Sequence, residues 1–197
     1  MLENGIILKI RNYAIDNSES NDIHGFSHVQ RVYNTCVKIG QNLNANMKIL
    51  KIAALLHDIG RIDEKKDPSK KNHAEISAIK AKEFLATNNF NLSQKEINNI
   101  IHAMSAHSFS NNRSPQTLEA KILSDADKLD AIGAIGIFRT IGFTLQNSGS
   151  IDQIIEHLKN KILKLKNKMH LDYSKKIAQD RHKITLEFYN KLKKERI

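Results

Sequence analysis

The chain contains one cysteine, two prolines and no tryptophan among its 197 residues. Because Cys36 stands alone, an intrachain disulfide and a zinc site built from several thiolates are excluded, which leaves histidines and carboxylates as metal ligands. No apolar run approaches the roughly 18 residues that span a bilayer, and the N-terminal residues lack the zones of a signal peptide. We therefore expect a cytoplasmic protein that has no membrane partner.

Acidic residues are scarce near the C-terminal end. The net charge is +10, from 31 Lys and Arg against 21 Asp and Glu, and residues 159 to 197 hold 13 of the basic residues but only 4 of the acidic ones. The lysines at 159, 161, 164, 166 and 168 point around a helix rather than along one stripe, which is typical of a solvated face. We therefore expect no nucleic-acid partner, and keep a nucleic-acid-binding helical module as the non-enzyme alternative.

Apolar residues recur with a period of about 3.6 throughout the chain, whereas strand-like alternation and Asn-Gly hairpin turns are absent, so the sequence predicts an all-α fold. Three S-x-x-[EQ] capping boxes are predicted, at Ser27 to Gln30, Ser93 to Glu96 and Ser150 to Gln153. The predicted helices cover residues 3–15, 28–42, 47–58, 72–88, 94–107, 117–143 with a break near Gly133, 151–169 and 173–195. Loops are predicted over 63–72, 108–116 and 146–150. We expect a single domain over 1–197, with its motif core at 22–143 and basic C-terminal helices at 151–195.

Polar residues interrupt three of the predicted core-facing stripes. His57 and Asp58 end an apolar helix that must run through the core, and an Asp is almost never buried without a partner. A capping Asp beside a hydrogen-bonded His would also explain this pair. His28 shares a face with Val32 and Cys36, and Asp127 shares one with Asp130.

Two imidazoles and two carboxylates directed inward from three helices are the common solution for a divalent metal in the core of a helical bundle. Mixed nitrogen and oxygen donors with open positions suit Mn, Fe, Co, Ni or Mg better than a closed tetrahedral zinc site. The residues together thus predict a metal site. Taken by itself, His28 would more simply be interpreted as a hydrogen-bonded histidine of the core.

These residues form an ordered pattern, in which His28, then His57-Asp58 within Ala53 to Gly60, then Asp127 within Asp125 to Asp130 resemble the H…HD…D signature of the HD-domain phosphohydrolases. His107 to Ser110, Thr117 to Leu123 and Asp127 to Ile141 further resemble the small bacterial YedJ/YpgQ type of this family. The resemblance covers about residues 22 to 190. One departure is visible, because this chain has His24-Gly25 where that type has His-Asp.

The resemblance implies a helical HD fold with a metal bound in the bundle core by His28, His57, Asp58 and Asp127, manganese being favoured among Mn, Mg, Fe, Co and Ni. It also implies hydrolysis of a phosphorylated small molecule, expected to be a nucleotide, with nucleoside triphosphate pyrophosphohydrolysis as the activity of the nearest type. The alternatives within the fold are a nucleoside monophosphate phosphatase and a phosphodiesterase. A homodimer is compatible with the sequence.

The remaining candidates surround the expected metal. We assign catalytic roles to Asp58, His73 and His107, since a divalent ion activates water and a nearby group must accept its proton. His102 and His107 point in different directions on one helix, and we favour His107. Candidate substrate-binding residues are His24, Arg31, Arg61, Lys128 and Asp130. The two arginines are placed to clamp phosphates bidentately, although ordinary surface arginines would fit their positions equally well.

Overall fold

The computed structural model describes residues 2–66, 71–108 and 113–196. Within these ranges the secondary structure consists of helices and one isolated bridge between Glu19 and Gly25, without a strand. The all-α prediction is confirmed. In chain order the helices are α1 Leu2–Asp16, α2 Phe26–Asn42, α3 Met47–Leu56, α4 Arg61–Glu64, α5 His73–Thr87, α6 Gln94–Ala106, α7 Leu118–Asp130, α8 Gly133–Gln146, α9 Ile151–Asn160, a 3₁₀ helix Ile162–Lys168, and α10 Asp172–Glu195.

Two compact units divide the chain, Met1–Ser124 and Asp125–Ile197. In the first unit α3 packs against α1, α2 and α6, and α5 packs against α4 and α6. In the second unit α10 packs against α8, α9 and the 3₁₀ helix. No helix in the described ranges is both long and apolar enough to cross a membrane.

Helix α3 forms the centre of the first unit because it is apolar on nearly all sides. All of its residues from Ile52 to Leu56 are buried, as are Ile49 and Leu50. Burying a large aliphatic side chain stabilises a fold by about 1.5 to 3 kcal/mol, so α3 is held firmly in place. It ends at Leu56, two residues earlier than predicted, which leaves His57 and Asp58 at its buried C-terminal end.

One predicted capping box is wrong. Helix α2 begins at Phe26 with Gly25 as its N-cap, and Ser27 is exposed in the first turn. The preceding turn is organised instead by Asn21, whose Oδ1 accepts the main-chain N–H groups of Ile23 and His24, each at 2.9 Å. The boxes at Ser93 and Ser150 are both present.

Two other predictions need correction. The predicted helix over 151–169 ends as an α-helix at Asn160 and continues as the 3₁₀ helix, because three residues per turn place Ile162 and Leu165 on one buried side. The predicted loop over 63–72 begins inside α4, which Lys80 secures through a 2.6 Å ion pair with Asp63. The parts of the predicted loops at 67–70 and 109–112, and with them Phe109 and Ser110 of the family pattern, lie outside the described residues.

Candidate metal centre

The C-terminal end of α3 orients the imidazole of His57. This residue is the C-cap of α3, and its Nδ1 lies 2.8 Å from the main-chain carbonyl oxygen of Ala54. The last carbonyl groups of a helix lack partners within it, so a histidine that follows the helix is well placed to donate to one of them. Since a carbonyl only accepts hydrogen bonds, the proton of His57 sits on Nδ1, and Nε2 carries the lone pair.

Helix α6 repeats this arrangement. His107 is its C-cap, and Nδ1 of His107 lies 2.6 Å from the carbonyl oxygen of Met104, again three residues earlier. His57 is 0% exposed and His107 is 1% exposed. Both rings therefore present an unprotonated Nε2 within the core of the first unit. His102, the alternative to His107, is half-buried and its Nε2 accepts the main-chain N–H of Gln116.

A first group of ligand-type atoms surrounds one carboxylate oxygen of Asp58. His28, buried on α2, has its Nε2 3.4 Å from Nε2 of His57 and 3.5 Å from Oδ2 of Asp58. Nε2 of His57 lies 3.8 Å from the same Oδ2. These three donor atoms are close enough together to hold one metal ion.

A second group shares Asp58 through its other oxygen. Nε2 of His73 lies 3.5 Å from Oδ1, and Nε2 of His107 lies 3.6 Å from it. Asp58, His73 and His107 are also close enough together to hold an ion. Asp58 thus lies at the centre of four imidazoles, with two at each of its oxygens.

Glu64 fixes the orientation of His73, and this residue is absent from the sequence-predicted site. Its Oε1 accepts the main-chain N–H of His73 at 2.9 Å and lies 3.3 Å from Nδ1 of the same residue. The hydrogen bond from the His73 side chain is the main reason why the pKa of Glu64 lies below its usual value. No sequence signal marked Glu64, because it falls in the segment that was predicted as a loop.

Arg61 binds the Asp58 carboxylate instead of lying free for a phosphate. Its Nε and Nη2 donate to the two oxygens of Asp58 at 2.9 and 3.2 Å, and Nη2 also lies 3.1 Å from Nε2 of His73. Burial raises the pKa of Asp58, but the charge of the adjacent Arg61 opposes this effect, and the pKa lies well below its ordinary value. Asp58 is therefore a carboxylate at neutral pH.

The donor set fits a divalent cation. Two ligand atoms that each lie about 2.1 Å from an ion are separated by about 3.0 to 3.4 Å, depending on the angle between them. The observed separations of 3.4, 3.5 and 3.8 Å in the first group are close to this range. A carboxylate has about four lone-pair directions, so Asp58 keeps acceptor capacity beside its bonds to Arg61. The fixed Nδ1 of His57 matches the way in which metal-binding histidines are generally oriented.

Asp127, the fourth predicted ligand, lies on α7 within the second unit and is half-buried. Its role in metal binding remains a prediction. Its neighbour Asp125 is fully buried and has a structural partner, since its two oxygens accept the main-chain N–H groups of His170 and Leu171 at 2.8 and 3.0 Å. Asp125 therefore secures the start of α10.

Two further residues of α7 were predicted to bind substrate. Lys128 is buried, and burial lowers the pKa of its ammonium group, while Asp125 and Asp127 oppose this effect. Asp130 is also buried and forms a 3.0 Å ion pair with Arg139. Their roles in substrate binding remain predictions.

Two predicted substrate-binding residues lie before and within α2, near the glycine that departs from the family pattern. His24 is half-buried in the turn before α2, and Arg31 is half-buried on α2, where Nη2 lies 3.4 Å from the carbonyl oxygen of Asp22. A Cβ atom at Gly25 would lie 2.0 Å from the carbonyl oxygen of Asn21 and 2.2 Å from that of Glu19. This backbone therefore accepts only glycine at position 25.

Comparison with known proteins supports this description. Residues 25–132 match the model of the HD domain family. Bacillus subtilis YpgQ, described as an uncharacterized protein, is 30% identical over 194 residues, which is 94% of this chain and 89% of YpgQ. Its crystal structure superposes with a TM-score of 0.79 over 99% of this chain and 97% of that chain, and YpgQ has also been crystallised in complex with ADP.

More distant solved structures carry the same fold. A predicted HD-superfamily hydrolase from an uncultured Thermotogales bacterium is 27% identical with a TM-score of 0.69. The match covers 95% of this chain and 91% of the hydrolase chain. An HD-superfamily hydrolase from Bacillus thuringiensis is 25% identical with a TM-score of 0.72. The match covers 98% of this chain and 95% of the B. thuringiensis chain.

Proposed function

Because the chain belongs to the HD-domain family, whose members are metal-dependent phosphohydrolases, we propose that it hydrolyses a phosphoanhydride bond of a nucleotide. The reaction we propose converts a nucleoside triphosphate, ribo or deoxy, into the monophosphate and pyrophosphate. The observation that carries this proposal is the position of Asp58 among four buried imidazoles, each with its Nε2 within 4 Å of a carboxylate oxygen. The crystallisation of YpgQ with ADP supports a nucleotide as the class of substrate.

In this proposal His28, His57, Asp58 and Asp127 hold the metal, and manganese is the favoured ion because it accepts mixed imidazole and carboxylate ligands. When bound, a divalent ion supplies an activated water and neutralises charge on a phosphoryl oxygen. Three of these ligands, His28, His57 and Asp58, lie together in the first unit. His57 is oriented by its contact with the Ala54 carbonyl oxygen, and Asp58 by its hydrogen bond from Arg61. The protein thus fixes the donor atoms before the ion arrives.

His73 and His107 then act on the substrate. Their Nε2 atoms face the second oxygen of Asp58, and the Nδ1 atoms are engaged by Glu64 and by the Met104 carbonyl oxygen. Each ring can accept a proton at Nε2 and, once protonated, donate a hydrogen bond to a phosphoryl oxygen. Arg61 adds a fixed positive charge beside both groups, which favours an anionic substrate.

A screen of ribo- and deoxynucleotides with Mn²⁺ tests the proposed reaction. Separate assays for inorganic phosphate and pyrophosphate identify the bond that is cleaved. We expect pyrophosphate and a monophosphate in equal amounts from a triphosphate. Release of inorganic phosphate from a monophosphate would instead identify a phosphatase, and opening of a cyclic nucleotide would identify a phosphodiesterase.

A further inference from the structure

A cavity of about 290 Å³ lies between α5 and α6 in the first unit, apart from the metal centre. Five of the residues that line it carry hydrogen-bond donors on their side chains, and two isoleucines contribute apolar surface. These residues are Lys82, Asn98, His102, Ser105, Arg113, Ile97 and Ile101, and the Ser105 hydroxyl already donates to the Ile101 carbonyl oxygen at 2.6 Å. No acidic residue lines this cavity among the described residues. A cavity that offers donors and positive charge without acidic groups is suited to an anion.

His102 contributes a neutral donor. Its Nε2 accepts the main-chain N–H of Gln116 at 3.0 Å, so its ring proton sits on Nδ1. Burial lowers the pKa of His102, and the charge of Arg113 lowers it further, so the ring is neutral at pH 7. The positive charge of the cavity therefore comes from Lys82 and Arg113.

The other polar groups also have free donors. In the described part of the chain, Lys82 forms neither an ion pair nor a hydrogen bond through its ammonium group. Arg113 forms a 3.7 Å ion pair with Glu75 of α5 through Nη2, and its other guanidinium N–H groups remain as donors. Asn98 accepts a 2.8 Å hydrogen bond from Gln94 at its Oδ1, which leaves the two N–H groups of its amide as donors.

We propose that this cavity is a second anion site, which binds inorganic pyrophosphate. Arginine holds phosphate oxygens in pairs, and lysine contributes a point charge to the same anion. A volume of 290 Å³ corresponds to that of about ten water molecules at about 30 Å³ each, so it accommodates a pyrophosphate with part of its hydration shell. The choice of pyrophosphate among phosphate anions rests on the proposed function, because that reaction would release it.

Calorimetric titration of pyrophosphate into the full-length protein, in the presence of a chelator that removes divalent metal, isolates this site from the metal centre. We expect one binding event, at least tenfold weaker in the Lys82→Gln, Arg113→Gln double variant. The control is a Lys38→Gln, Lys95→Gln double variant, which removes the same charge from two exposed lysines outside the cavity and should bind within about twofold of wild type.

NMR of the histidine ring signals provides a readout that does not depend on net charge. The His102 signals, identified by their loss in His102→Gln, should shift when pyrophosphate is added to the metal-free protein. The proposal is overturned if wild type does not bind, if both double variants weaken binding equally, or if the His102 signals stay in place. Failure of the proposed function would appear separately, as absence of nucleotide hydrolysis with Mn²⁺.

Discussion

Oε1 of Glu64 accepts the main-chain N–H of His73 and lies 3.3 Å from Nδ1 of the same residue. These two contacts with Glu64 determine which ring nitrogen of His73 faces Asp58. Loss of a carboxylate that orients a metal-binding histidine generally lowers metal affinity or activity about 10 to 100-fold, and we expect an effect of similar size for a catalytic histidine.

We therefore predict that Glu64→Ala lowers kcat by about 10 to 100-fold, because the His73 ring loses its fixed orientation. Glu64→Gln should recover part of the rate, since its amide oxygen still accepts one hydrogen bond. Steady-state kinetics on the preferred nucleotide measure both. Glu83→Ala, an exposed residue of α5, is the control. Wild-type turnover in Glu64→Ala would show that Glu64 does not position His73.

A second prediction concerns the close contact between Gly60 and α5. The Gly60 N–H donates to Oγ of Ser77 at 2.9 Å, and a Cβ atom at Gly60 would lie 2.5 Å from the Ser77 nitrogen and 2.9 Å from the His73 carbonyl oxygen. Because these are backbone atoms, Gly60→Ala must displace the first turns of α5 and with them His73. We expect kcat/KM to fall by about tenfold or more, since small misplacements of catalytic groups are costly.

Gly5→Ala is the matched control for this variant, because a Cβ at Gly5 would meet no described atom within 4 Å beyond its own stretch of α1. Circular dichroism and kinetics of both variants measure fold and activity together. Equal activity in Gly60→Ala and wild type would show that the position of α5 does not limit the reaction.

The third prediction separates the two groups of histidines. His107→Gln should keep its metal but lose about 10² to 10⁴-fold in kcat, as expected when a proton-transferring group is removed. Metal content per chain and single-turnover rates are the measurements. Loss of metal from this variant, or two ions per wild-type chain, would instead assign His73 and His107 to metal binding.

The basic C-terminal residues test the non-enzyme alternative. Replacing the exposed Lys164 and Lys168 and the half-buried Lys166 with Gln should leave nucleotide turnover within a few fold, because screened charges mainly affect encounter rates. Labelled RNA or DNA should not be retarded by the wild-type protein in a mobility-shift assay. A salt-dependent shift that the triple variant loses would establish nucleic-acid binding.

Periodicity sufficed to predict the long helices, although not the four-residue α4 or the 3₁₀ helix, because apolar spacing directly reflects burial. The break between α7 and α8, and the burial of His28, His57 and Asp58, likewise follow from residue types in the sequence. The resemblance to the HD family supplied the expected roles.

The remaining features depend on the conformation of the segments between the long helices. Spacing alone could not show that Arg61 would bind Asp58, or that Glu64 would hold His73 from a four-residue helix secured by Lys80. Nor could it show that Gly25 is required by the carbonyl groups of Glu19 and Asn21. Each of these depends on the conformation of a turn or of the short helix α4, which the periodicity of apolar residues does not encode.

Metal content and nucleotide hydrolysis of His57→Ala test the central claim most directly. His57 is fully buried, with its Nε2 3.4 Å from that of His28, so its loss removes a donor without affecting an exposed surface. We predict that the purified variant keeps its helical circular dichroism, retains no stoichiometric manganese by elemental analysis, and does not hydrolyse triphosphates. His157→Ala, which changes a half-buried histidine of α9, should match wild type in all three measurements. Stoichiometric metal together with full activity in His57→Ala would contradict the assignment of this centre.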